Sequence, residues 1–202
     1  MNSRVHWKIP HKVIATSDAI TKAGFEAYLI GGCVRDLTMG KAPKDWDLTT
    51  SARPAQILEL FTGSFYENDF GTVGVVSEGK KDIDIKDSIK DKSTEIIEVT
   101  TYRLEANYSD SRHPDSIKFS DRLEEDLKRR DFSINAIAYD VSHENVIDLF
   151  HGQEDIKDRV IRAVGDPSER FSEDALRMMR AVRLACELDF TISQETSDAI
   201  RL

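Results

Sequence analysis

The sequence predicts an α/β or α+β protein, with a small mixed sheet first and helices last. Two observations carry that expectation. Short apolar runs of strand length alternate with amphipathic stretches of helical period, and the last long segment, Ser168 to Leu188, reads as helical throughout. The 202 residues suit one or two domains, and a chain of this size buries about 70% of its unfolded surface. Hydrophobic residues make up 40% and charged residues 32%, with 10 Gly and 5 Pro, which argues against collagen-like and disordered classes.

The elements follow in order. From Pro10 to Gly24, Val13, Ile14, Ala19, Ile20 and Ala23 trace one face of a helix opened by a proline and closed by a glycine. Ala27 to Ile30 is a short apolar strand that turns at Gly31-Gly32 into a helix from about Val34 to Met39, with Gly40 as its stop. Asp45 to Thr50 reads as a second strand and Ser51 to Phe61 as a capped helix with Pro54 in its first turn. Two β-rich runs follow, Gly71 to Ser77 and Glu95 to Tyr102, and the charged interval between them reads as an exposed hairpin extension. Glu105 to Ser116 is a polar loop, and Leu123 to Lys128, Ile134 to Tyr139 and Val146 to Phe150 alternate helical and extended patterns. The chain still reads as helix at its last residues, as an N-terminal piece of a longer protein would.

With 28 basic and 37 acidic residues the net charge is −9, so any contact with nucleic acid must be local. Cys33 and Cys186 match neither a metal spacing nor a disulfide framework and read as reduced thiols of a cytoplasmic protein. No run approaches the roughly 20 apolar residues of a membrane span.

Asp45-Trp-Asp47 sets two carboxylates on one face of a strand, a clamp for hard divalent cations or simply a solvated strand end. Glu98 adds a third acid on a strand where Ile97 and Val99 face away from it, a costly place unless it is paired or metal-bound. A second acid pair, Asp82-Ile-Asp84, lies among Lys80, Lys81 and Lys86 and reads as solvated loop. Gly31-Gly32 lets the backbone approach a ligand, and Arg35 one turn later can add a charge-assisted contact; the competing reading is a structural turn. Arg130, Asp131 and Asn135, in the densest basic cluster, suit ribose hydroxyls and phosphates, or cap a solvated helix end.

Arg170 to Arg183 is the most informative stretch. Glu173, Arg177 and Arg180 fall within about 60° of one another on a helical wheel, with Asp174 at their edge and Ala175, Met178, Met179, Val182 and Ala185 on the expected core side. Ordinary pairing of Glu173 with Arg177 is one account. The other is base selection: a carboxylate beside a guanidinium presents one acceptor and one donor, which complements cytosine and adenine and mismatches guanine and uracil.

Five motifs in register, Leu29-Ile-Gly-Gly-Cys-Val-Arg-Asp36, Asp45-Trp-Asp47, Glu98-Val-Thr-Thr-Tyr-Arg103, Arg129-Arg-Asp-Phe-Ser-Ile-Asn-Ala136 and Arg170 to Arg183, resemble the class II tRNA nucleotidyltransferases, which include CCA-adding enzymes, and the related bacterial poly(A) polymerases. The resemblance implies a polymerase-β-type head over residues 1–150 and the start of a helical neck over 151–202. It implies Asp45, Asp47 and Glu98 as catalytic Mg²⁺ ligands, Gly31, Gly32 and Arg35 at the triphosphate, and Arg130 and Asp131 at the ribose. Glu173, Asp174 and Arg177 would select the base, with Arg180 assisting, and Tyr108, Asp110, Arg112 and His113 resemble a mobile loop that helps switch from C to A. CTP, ATP and the 3′ end of a tRNA acceptor stem are the implied partners, with the primer hydroxyl attacking the α-phosphate as pyrophosphate leaves. CC-adding, A-adding and polyadenylating activities share these motifs, and a non-catalytic nucleotide- or RNA-binding module is the reading from another class. Leu184 stands where a Phe is common in the family, and the interval from Gly79 to Lys92 is long.

Overall fold

A computed structural model describes residues 5–67, 71–76, 96–104 and 118–201. Helix α1 (His11–Lys22) leads into strand β1 (Ala27–Ile30), helix α2 (Gly32–Thr38) and strand β2 (Trp46–Thr50). Helix α3 (Pro54–Leu60) and strands β3 (Phe65–Tyr66), β4 (Thr72–Val76) and β5 (Ile96–Thr101) complete the first half. Helix α4 (Leu123–Lys128), a 3-10 turn (Ser133–Asn135) and strands β6 (Ile137–Asp140) and β7 (Asn145–Asp148) follow. The chain then runs through α5 (Gly152–Asp158), β8 (Val160–Ile161), α6 (Pro167–Glu173), α7 (Leu176–Leu188), β9 (Thr191–Ile192) and α8 (Gln194–Arg201).

Seven strands form one mixed sheet in the order β3-β4-β5-β2-β1-β6-β7. β2 and β5 run parallel, and the other neighbours are antiparallel. Period-two alternation divides the faces. Leu29, Leu48, Val73, Val75, Ile97 and Val99 belong to the core cluster that also holds Val13 and Ile20 of α1 and Ile57 of α3. The opposite face carries Ile30 and Ala138, packed with Leu123 and Leu127 of α4, and the polar side chains of β2 and β5. The small mixed sheet expected from sequence is thus present, with β3, α5 and the short parallel β8–β9 pair in addition.

The single helix expected from Ser168 to Leu188 is two. Asp174 is extended (φ −141°, ψ 102°), and its side chain accepts a hydrogen bond from the Leu176 amide at 2.9 Å, so a local Asx bond competes with the helical ladder and ends it. The expected core side of α7 is corrected in part: Met178 and Ala185 pack against the core cluster, but Ala175 is exposed. Met179 is 69% exposed and Val182 44%, whereas Arg177, Ala181 and Leu184 are buried. Arg177 is buried with its guanidinium paired to Glu173 at the end of α6 and donating to the Arg129 carbonyl, so the covered side of α7 includes a charged residue that the apolar stripe left out. The hairpin extension, the Asp82–Asp84 pair and Tyr108, Asp110, Arg112 and His113 lie outside the described residues.

Candidate functional site

The parallel pairing of β2 with β5 places Asp47 directly opposite Glu98. Asp45 sits in the bend before β2, close enough to raise the proton affinity of both. Burial, then Glu98, pushes the Asp47 carboxyl up to about 6, against the pull of Arg130. Glu98 is raised by burial and by Glu67 and Asp45. No three Asp, Glu, His or Cys donors among the described residues close into a metal cage by themselves. Oxygen donors spread over one face of two adjacent inner strands suit a hard divalent ion that takes its remaining ligands from water and phosphate.

Gly31 adopts φ 74°, ψ −134°, a conformation open to glycine, as β1 turns into α2. A Cβ there would lie 3.5 Å from Arg130 Nη1 and 3.7 Å from Asp47 Oδ2. The missing side chain therefore leaves a space flanked by a guanidinium on one side and the acids on the other. Gly32 lies over the Arg35 guanidinium in the same way.

From this turn a chain of charge-assisted bonds crosses to α7. Arg35 donates to Asp36 Oδ1 through Nε (2.9 Å) and Nη2 (2.7 Å), and to Asn135 Oδ1 through Nη1 (3.0 Å). Asn135 Nδ2 donates to Asp131 Oδ1 at 3.3 Å, and Asp131 Oδ2 accepts from Arg180 Nε at 2.7 Å. Arg177 donates to Glu173 Oε2 at 3.0 Å and, through Nη2, to the Arg129 carbonyl at 3.4 Å. Glu173 Oε1 also accepts from Arg170 at 2.6 Å. Arg35, Asn135, Asp131 and Arg180, 145 positions apart at the extremes of the sequence, are thus one network. Asp174 departs from the expected pairing: its carboxylate caps Leu176, and Arg177 is held by Glu173.

Sequence reasoning missed three residues here. Glu67, just after β3, has its carboxyl raised by burial and by Asp47, so it faces the same acids. Thr49 Oγ1 and the fully buried Asp126 lie 3.2 Å apart, farther along the same strand face. Asp126 was legible in principle, as an acid between the apolar Leu123 and Leu127 and spaced three and four residues from Arg129 and Arg130.

Residues 27–162 match the poly A polymerase head domain model. The chain belongs to that family. Among curated relatives, the CCA-adding enzyme of Lactobacillus helveticus is 46% identical over 191 residues, covering 94% of this chain and 44% of the relative. That of Enterococcus faecalis is 47% identical over 182 residues, covering 90% and 41%. Among solved structures, the Bacillus stearothermophilus CCA-adding enzyme in complex with CTP matches with a TM-score of 0.78 and 39% identity, over 94% of this chain and 42% of that one. A tRNA nucleotidyltransferase complexed with a primer tRNA and an incoming ATP analog matches with a TM-score of 0.66 and 29% identity, over 92% and 48%. The chain spans less than half the length of these relatives. No helix among the described residues is long and apolar enough to cross a membrane.

Proposed function

We propose that this chain is the head and first neck segment of a template-independent nucleotidyltransferase that adds C and A, from CTP and ATP, to the 3′ end of tRNA. The observation that carries the reading is the juxtaposition of Asp47, Glu98 and Asp45 with the space at Gly31 and with Arg130. The relatives support it, since one solved neighbour holds CTP and another a primer tRNA with an ATP analog. In this reading residues 1–150 are the head and 151–202 begin the neck, although α5 packs back against the head through the Ser133–Asp155 hydrogen bond (2.5 Å).

Asp45, Asp47 and Glu98 would hold Mg²⁺. When bound, it would neutralise charge at the α-phosphate and ease deprotonation of the primer 3′-hydroxyl. The chain supplies the rest by position. Asp47 must be ionised to take part, so a proton and the cation compete for its raised-affinity carboxylate, and cation binding should weaken as the pH falls. Gly31, Gly32 and Arg35 leave backbone and guanidinium room for the triphosphate, and Arg130, Asp131 and Asn135 stand where a ribose and its phosphates would lie between the acids and α7. Glu173, Asp174, Arg177 and Arg180 would read the base, with Arg177 set by Glu173 and the Arg129 carbonyl before any nucleotide arrives. Such preorganisation lowers the ordering needed on binding.

The test is calorimetric binding of CTP, ATP, GTP and UTP with Mg²⁺, repeated with Arg177→Ala. CTP and ATP should bind at least tenfold tighter than GTP and UTP, about the cost of one unsatisfied buried polar group, and the variant should lose that margin. Binding of ATP alone would turn the reading to A-adding or polyadenylation. Equal binding of all four would overturn base selection by these residues.

A further inference from the structure

We infer that Asp126 is a positioning residue that holds the Arg130 guanidinium beside Gly31 and off the Asp47 carboxylate, keeping the acidic face open to a divalent cation. The inference rests on the proposal that Asp47 is a cation ligand. Asp126 is 0% exposed, and its two oxygens accept five hydrogen bonds. Oδ1 takes Arg129 Nε (2.9 Å) and Nη2 (2.5 Å) and the Arg103 amide (3.4 Å). Oδ2 takes Arg130 Nη2 (3.0 Å) and Thr49 Oγ1 (3.2 Å).

Two of those bonds locate the device. Thr49 lies two residues beyond Asp47 on the same face of β2, so Asp126 is pinned beside the acids on that face. Arg130 is gripped by Nη2 while its Nη1 and Asp47 Oδ2 flank the same empty spot at Gly31. Among the described residues Arg130 makes its ion pair with Asp126 and none within 4.0 Å with Asp47. A guanidinium this close to the half-buried Asp47, which Glu98 and Asp45 repel, gains by moving onto it unless another carboxylate holds it. Arg130 Nε is meanwhile buried with no hydrogen-bond partner, so its present place is not its best one for bonding alone. An arginine released onto Asp47 would occupy the oxygens a cation needs.

The experiment measures Mn²⁺ binding directly, from the free-ion electron paramagnetic resonance signal. It compares the 202-residue chain, Asp126→Asn, Asp126→Glu and the double variant Asp126→Asn/Arg130→Gln. Asp126→Asn should bind Mn²⁺ about tenfold more weakly, the competition expected of one charge-assisted pair. The double variant should return to within about threefold of the parent chain, because the competitor is gone. Asp126→Glu, which keeps the charge on both arginines, should stay within the same range, and it remains a test if the Asn variant does not fold. Unchanged binding in folded Asp126→Asn, equal weakening in the double variant, or a Glu variant as weak as Asn would each overturn the inference. A parent chain that binds no Mn²⁺, or binds it equally well with Asp47→Asn, would overturn the reading of the acids, and the inference with it.

Discussion

Replacing Asp47 with Asn should stabilise the cation-free protein. A carboxyl whose folded pKa is raised from 3.8 to about 6 is ionised only at a cost to the native state. The sign follows from proton counting. Below about pH 4 the carboxyl is protonated in both states and the cost vanishes; between about pH 4 and 6 only the unfolded chain ionises, and the cost grows; above about pH 6 it is complete. Two units of pKa correspond to ~3 kcal/mol as a ceiling. Asp47 is not fully buried and shares its repulsion with Glu98 and Asp45, so ~1.5–3 kcal/mol is expected. Asn fills the same volume without charge, and among the described residues the Asp47 carboxylate has no hydrogen bond to lose. Urea unfolding in chelator measures it: the variant should gain this margin at about pH 7.5 and almost none at about pH 4. Added Mg²⁺ should stabilise the parent chain and not the variant. A variant that is less stable at neutral pH, or a margin that ignores pH, would refute the account of Asp47 as a charge held at a cost.

Two further outcomes follow from packing and from thiol chemistry. Gly152→Ala would set a Cβ 2.3 Å from the Ser133 carbonyl and 2.7 Å from Ile137 Cγ1, and urea unfolding should show a loss of roughly 2 kcal/mol or more; a change near zero would mean that α5 moves freely against the head. Cys33 is buried and its thiol is pushed up to about 11, chiefly by desolvation, whereas Cys186 is exposed, so native protein should show one fast and one slow thiol toward a maleimide, and two fast ones in urea.

Much of the sheet was legible because its signal is local. Alternation in Trp46–Thr50 and Ile96–Thr101 told which side chains share a face, and the apolar partners of Glu98 marked it as an acid on a largely buried strand. The glycine turn was legible because its backbone angle is one that glycine alone adopts freely. The end of the chain was read less well. A wheel drawn across Ser168–Leu188 assumes one continuous helix, and Asp174 breaks it by bonding to the Leu176 amide. The same wheel put Met179 and Val182 inside, because apolar periodicity reports what a helix could bury and not what stands beside it.

The sequence by itself determined most of the element types in the first half of the chain, the candidate acids and arginines, and the family to which they point, since each rests on residue chemistry at short spacing. Only the tertiary structure decided how they meet. Parallel pairing of two strands 50 residues apart sets Asp47 against Glu98, and no local rule fixes that register. Asn135 bridges Arg35 to Asp131, Glu173 takes Arg177 in place of Asp174, and Asp126 joins the group through Thr49. Those choices are made by which charges find partners once water is excluded, a competition among distant groups that only the folded chain resolves.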